Sequence, residues 1–170
     1  MIQHLPVFGI CGYSGSGKTT LIVELIKRLH SEASERVSAG GLARRSPWGE
    51  GGLKVGVIKH DVHGLNIDHE GKDSDRFFKA GADVLMRGPD QIFLRARPRE
   101  EIDLEAVLKL FCPHYDLVLL EGHKSTPFID KVWLLKDDQE TCPPEAVNVR
   151  RVLRRDEDRA GIVMEMLRAW

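Results

Sequence analysis

The stretch Gly9-Ile10-Cys11-Gly12-Tyr13-Ser14-Gly15-Ser16-Gly17-Lys18-Thr19-Thr20 decides the fold of this chain. Gly12 to Thr19 satisfy the phosphate-loop spacing G-x-x-x-x-G-K-S/T. The flanks fit that reading. Val7, Phe8, Ile10 and Cys11 form an apolar run before the loop, and Leu21, Ile22, Leu25, Ile26 and Leu29 repeat at helical spacing after it. Gly12, Gly15 and Gly17 permit backbone conformations that a Cβ disfavours, so successive N–H groups can converge on one anion. A helix starting near Lys18 adds the positive end of its dipole. Lys18 brings a mobile charge to the outer phosphates, and the Thr19 hydroxyl is a magnesium ligand in this pattern. The stretch reads as a nucleoside-triphosphate site.

Outward from the loop, strand-like segments at 6–11, 55–59, 117–121, 132–135 and 146–149 alternate with helical patterns at 18–30, 73–80, 103–111 and 156–169. That alternation predicts an α/β fold of three layers, a mainly parallel sheet covered on both faces. Asp103 is placed as an N-cap ahead of Leu104, Val107, Leu108 and Phe111. Residues 83–95, two short apolar runs around Gly88-Pro89-Asp90, read as an added β-hairpin and a place where subunits meet. The segment 31–52 holds five glycines, Arg44-Arg45 and an isolated Trp48 without periodicity, and reads as a long glycine-rich loop.

Length and charge narrow the remaining choices. The 170 residues predict a single nucleotide-binding domain spanning 1–170. With 25 basic against 26 acidic residues there is no broad electrostatic footprint for nucleic acid or an acidic membrane. No apolar stretch has the length of a membrane span, and no signal-peptide pattern opens the chain. Cys11, Cys112 and Cys142 are an odd, scattered set, which predicts reduced thiols and a cytoplasmic protein.

Two further segments carry chemistry. Leu117 to Glu121 is an apolar strand ending in a carboxylate, and ligands of open α/β sheets sit beyond the carboxyl ends of the strands. Glu121 is therefore placed to hold magnesium or orient a water, while Asp116 lies at the far end of the strand. Val55 to Lys59 leads into Lys59-His60-Asp61-Val62-His63, followed by Asp68-His69-Glu70-Gly71-Lys72-Asp73-Ser74. The histidines with Asp68 match no compact zinc spacing. Anion binding or substrate orientation by Lys59, His60 and Lys72 is the preferred reading, with Asp61 or Asp73 as further candidates for the magnesium shell.

With these motifs on the page, the chain resembles the molybdopterin-guanine dinucleotide biosynthesis protein B family. The matching residues are Gly12 to Leu21, Ile58 to His63, Gly71 to Ser74 with Ala80-Gly81-Ala82, and Asp116 to Lys124. The resemblance implies a phosphate-loop NTPase fold of the SIMIBI type, a homodimer, GTP and Mg2+ as ligands, and weak GTPase activity. It also implies an accessory role beside the guanylyltransferase that attaches GMP to molybdopterin. By position it assigns Gly12, Tyr13, Ser14, Gly15, Ser16, Gly17, Lys18, Thr19 and Thr20 to the phosphates. Thr19 and Glu121 go to magnesium, Lys18 and Glu121 to catalysis, and Lys59, His60, Lys72 and Asp73 to a second region of the site. Three features depart from the family. The 31–52 segment is long, His123 stands where an aromatic is common, and the pattern fades after Trp133. Asn148 is either a guanine reader or a turn residue. Two other functions stay open, a small-molecule kinase and a GTP-presenting adaptor.

Overall fold

A computed structural model describes residues 5–38, 53–59, 65, 67–97 and 103–170, with the backbone alone for 36–38. The internal contacts gather into two compact units, Met1–His60 with Leu108–Trp170, and Asp61–Val107. In the first, strands β1 (Val7–Gly12), β2 (Val55–Lys59), β5 (Leu117–Glu121), β6 (Lys131–Leu134) and β7 (Val149–Leu153) form one parallel sheet in the order β2-β5-β1-β6-β7. The central strands are nearly continuous apolar runs because both their faces are covered. Helices α1 (Lys18–Ser38) and α4 (Arg159–Arg168) pack on one face. Leu21, Ile22, Leu25, Val163 and Met164 meet Phe8, Ile10, Leu119, Val132, Leu134 and Leu153 there. Full burial of each such side chain contributes about 1.5–3 kcal/mol, which fixes α1, and with it the preceding loop, against the sheet.

The opposite face is covered differently. Cys11, Trp133 and Leu135 cluster there with Cys142, Ala146 and Val149. Phe111, the last residue of α3 (Leu104–Phe111), stacks on Tyr115 at 4.4 Å, and both close over Gly56 of β2. A Cβ on Gly56 would stand 2.7 Å from Phe111 and 2.9 Å from Tyr115, so only hydrogen fits.

In the second unit an ion-pair cluster does much of the organising. The hairpin joins β3 (Val84–Arg87) to β4 (Ile92–Arg95) in antiparallel register, with α2 (Asp73–Lys79) before it. Arg95 reaches Asp68 at 2.8 Å and Asp75 at 3.1 Å, and its guanidinium lies 3.9 Å over the Phe78 ring. Asp75 also accepts from the Gly71 N–H at 2.9 Å and from Lys79 at 2.9 Å. The Gly71 hydrogen bond first, then Lys79 and Arg95, hold its carboxyl at about 2. Asp103 caps α3, accepting from the Ala106 N–H at 2.7 Å.

Three elements differ from the sequence expectation by more than a residue. Helix α1 runs on to Ser38, because 31–38 holds neither glycine nor proline and the glycines begin only at Gly40. The glycine-rich remainder, 39–52, lies outside the described residues. The last strand is Val149–Leu153 rather than 146–149. Asn148 sits before it at φ 55°, donates its side-chain amide to the Pro127 carbonyl, and is a turn residue. Helix α4 starts at Arg159, where Asp158 accepts from the Gly161 N–H at 3.0 Å. No described helix is long and apolar enough to cross a membrane, and the three cysteines are free thiols.

Candidate functional site

The loop joining β1 to α1 sits at the carboxyl end of the central strand, where the sheet opens. Gly12 takes φ 150°, and a Cβ there would lie 2.4 Å from Ser16 Oγ and 2.6 Å from the Leu134 carbonyl. Gly15 and Gly17 stand at φ 79° and 92°. The loop therefore folds into a tight cradle, closed to a Cβ at Gly12 by lack of space and disfavouring one at Gly15 and Gly17 through their positive φ. Lys18 Nζ donates to the carbonyls of Gly12 at 2.9 Å and Tyr13 at 2.8 Å, so its charge lies across the loop. The Ser16 hydroxyl is buried with no hydrogen-bond partner among the described residues. An orphaned donor in a glycine cradle under an ammonium suits an oxyanion. Tyr13 is partly exposed, its ring set edgewise on Trp133 at 5.2 Å.

Across the cradle, Glu121 ends β5 in register with Ile10 of β1 and Lys59 of β2. The Thr19 hydroxyl lies 3.3 and 3.5 Å from its two carboxylate oxygens. A hydroxyl facing a carboxylate beside a phosphate cradle is a hard-oxygen donor set of the kind magnesium takes. A cavity of about 320 Å3 opens beside the loop, bordered by Gly15, Gly17, Thr20, Glu24, Arg155 and Arg159.

The structure thus brings together Gly12 to Thr20, Lys59 and Glu121. Lys72 and Asp73 belong to the second unit, where Lys72 precedes α2 and Asp73 opens it. His60, Asp61 and His63 lie outside the described residues. Among the described residues no group of three metal-ligating side chains could hold a transition metal. Asp116 sits at the amino end of β5, accepting from the Lys54 N–H at 2.8 Å, as its place in the run predicts.

Two residues the sequence did not flag serve this region. Arg159 donates through Nη1 to the Ser16 carbonyl at 2.8 Å, through Nε to Arg154 at 2.7 Å, and through Nη2 to the carbonyls of Leu135 and, at 3.3 Å, Leu153. It ties the loop to the ends of β6 and β7. Lys131 lies buried behind the turn that follows Glu121. Arg159 had no sequence signal, being one arginine in a charged stretch. Lys131 had a faint one, a lysine opening an otherwise apolar strand.

A parallel sheet of this order with the glycine loop between β1 and α1 defines an α/β protein of the phosphate-loop NTPase fold. A crystal structure of molybdopterin-guanine biosynthesis protein B superposes with TM-score 0.70 at 23% identity, covering 96% of this chain and 98% of that one. Residues 48–153 match the family model for molybdopterin guanine dinucleotide synthesis protein B. A Haemophilus influenzae molybdopterin-guanine dinucleotide biosynthesis adapter protein is 34% identical over 147 residues, 85% of this chain and 71% of that protein. A probable Bacillus subtilis counterpart is 30% identical over 162 residues, 93% and 81% of the two chains. The chain belongs to the molybdopterin guanine dinucleotide synthesis protein B family, with a role in molybdopterin guanine dinucleotide biosynthesis.

Proposed function

We propose that this protein binds GTP with Mg2+, hydrolyses it slowly, and assists the guanylyltransferase that attaches GMP to molybdopterin in the cytoplasm. The observation that carries the reading is the approach of the Thr19 hydroxyl to Glu121 beside the glycine cradle. In it the loop N–H groups and Lys18 bind the phosphates, and Thr19 and Glu121 hold the metal, which supplies charge neutralisation when bound. Lys59, one strand over, adds positive charge at the same edge. Slow turnover fits a site where the described residues offer no obvious base besides Glu121, since such proteins often borrow a catalytic group from a partner. The proposal extends to a homodimer through the hairpin, whose outward face exposes Leu85, Ile92 and Leu94.

A phosphate cradle grips phosphates and ignores the base, so guanine preference is the discriminating property. Calorimetric titration of the four nucleoside triphosphates with magnesium should rank GTP at least about tenfold above ATP. Glu121→Gln should retain nucleotide while losing magnesium-dependent phosphate release. Equal affinities for ATP and GTP, with no effect on guanylylation of molybdopterin, would reject this function in favour of a kinase. GTP capture with no hydrolysis even beside the guanylyltransferase would favour a GTP-presenting adaptor, the role that the relatives' word "adapter" suggests.

A further inference from the structure

The chain leaves β5 after Glu121 through a sharp corner. Gly122 takes φ 93° and His123 φ 57°, a left-handed conformation that a residue with a Cβ seldom adopts. The sheet holds the corner at its start. The Gly122 N–H donates to Ile10 at 3.1 Å, and Cys11 Sγ donates to the Gly122 carbonyl at 3.0 Å. Beyond that point a buried ammonium takes over. Lys131, first residue of β6, is 0% exposed, and its Nζ donates to the carbonyls of Thr126 at 2.6 Å, Lys124 at 3.3 Å and His123 at 3.4 Å. All three acceptors lie in the five residues after Glu121.

This is a costly way to stabilise a turn. Among the described residues no carboxylate pairs with Lys131 within ion-pair distance, so neutral carbonyls are the direct partners of a desolvated charge, with Asp130 acting on it only from further off. An apolar side chain of similar length would pack there at lower cost. Nor do the carbonyls all depend on it. His123 also accepts from the Thr126 N–H at 3.2 Å, and Lys124 from the Val147 N–H at 3.0 Å. What the ammonium adds is convergence, because one point charge draws three carbonyls of a single segment to one centre.

We propose that Lys131 is a positioning residue for the magnesium-binding carboxylate, fixing the corner from which Glu121 reaches Thr19. The proposal rests on the nucleotide reading above. Lys131 touches neither nucleotide nor metal in it and acts through the turn.

The test is Lys131→Met in the full-length protein. The variant should fold with a melting temperature no lower than wild type. GTP affinity in EDTA should stay within about twofold, whereas half-saturating Mg2+ should rise, and phosphate release fall, about fivefold or more. A merely structural role would instead lower melting temperature and metal-free affinity together, and that result overturns the proposal. Unchanged magnesium dependence overturns it as well. If the Met variant does not fold, Lys131→Gln is measured in the same way, and failure of both assigns Lys131 to folding alone. Amide hydrogen exchange of 122–126 is read on ligand-free protein and should be faster in the variant. If wild type binds no GTP with or without Mg2+, the nucleotide reading falls, and unchanged exchange then separately overturns the positioning role.

Discussion

Replacing Arg159 by Met keeps the aliphatic stem and removes a fork of four hydrogen bonds. Two of these run outward, to Arg154 at 2.7 Å and to Leu153 at 3.3 Å, and Leu153 already accepts from the Leu135 N–H at 3.0 Å. Their loss should be small. The two inward bonds, to Ser16 at 2.8 Å and to Leu135, join the phosphate loop to the end of β6. A bond from a charged donor contributes about 1.5–3 kcal/mol, and the low end applies to a half-exposed guanidinium, which gives about 3 kcal/mol for the pair. For a chain of this length that is a fall of about 6–12 °C in melting temperature, read by differential scanning fluorimetry. Arg159→Lys retains charge without the planar fork and should recover less than half of the loss. A Met variant melting within about 2 °C of wild type, or a Lys variant equal to wild type, would refute the reasoning.

Three other outcomes follow from the structure. Lys18→Ala should weaken triphosphate binding roughly ten- to a hundredfold, from about 1.5–3 kcal/mol of lost charge-assisted contact, in a protein that still folds; unchanged calorimetric affinity would count against the assignment. Asp75 has its folded-state pKa lowered from 3.8 to about 2, so the stability it contributes is present above the unfolded value and lost as pH falls through the folded one. An NMR titration followed at the Gly71 amide should therefore show a midpoint near 2 in wild type and none in Asp75→Asn, and a midpoint near 3.8 would contradict the cluster geometry. On the hairpin, Leu85→Lys with Leu94→Lys should shift the light-scattering mass from two chains to one with an unchanged circular dichroism spectrum. An unchanged mass would remove the hairpin from the dimer contact.

The legible parts of the sequence were those where one physical signal dominated. Strands β1 and β5 are apolar runs buried on both sides, β2 is a Val- and Ile-rich strand at the sheet edge, and the limits of all three came within a residue. The phosphate loop was legible because glycine spacing, a strand and a helix all agreed. The last strand was misread because Val149-Arg150-Arg151-Val152-Leu153 lies at the sheet edge and exposes its arginines, whereas Ala146-Val147 is apolar but sits in a loop. Within the site, the sequence assigned Thr19 and Glu121 to one magnesium ion, and the structure sets the two side chains beside one another because the parallel pairing of β1 with β5 brings their segments to the same edge. Arg159 and Lys131 were out of reach. Their work is to collect main-chain carbonyls from distant segments, and acceptors of that kind leave no trace in residue identity.

The hydrogen bond from Arg159 to Ser16 spans 143 positions of the chain. Synthesis proceeds from the amino end, so the phosphate loop leaves the ribosome long before its tether exists. Strand β1 waits likewise for β5 and β6, its two neighbours in the sheet, and such distant pairings are slow to close. The earliest-made element of the site is thus among the last to acquire its shape. A nascent chain presents a glycine-rich segment with no settled geometry, and nucleotide capture becomes a property of the finished polypeptide. Any truncation that removes α4 should leave the sequence motif intact and the cradle unmade.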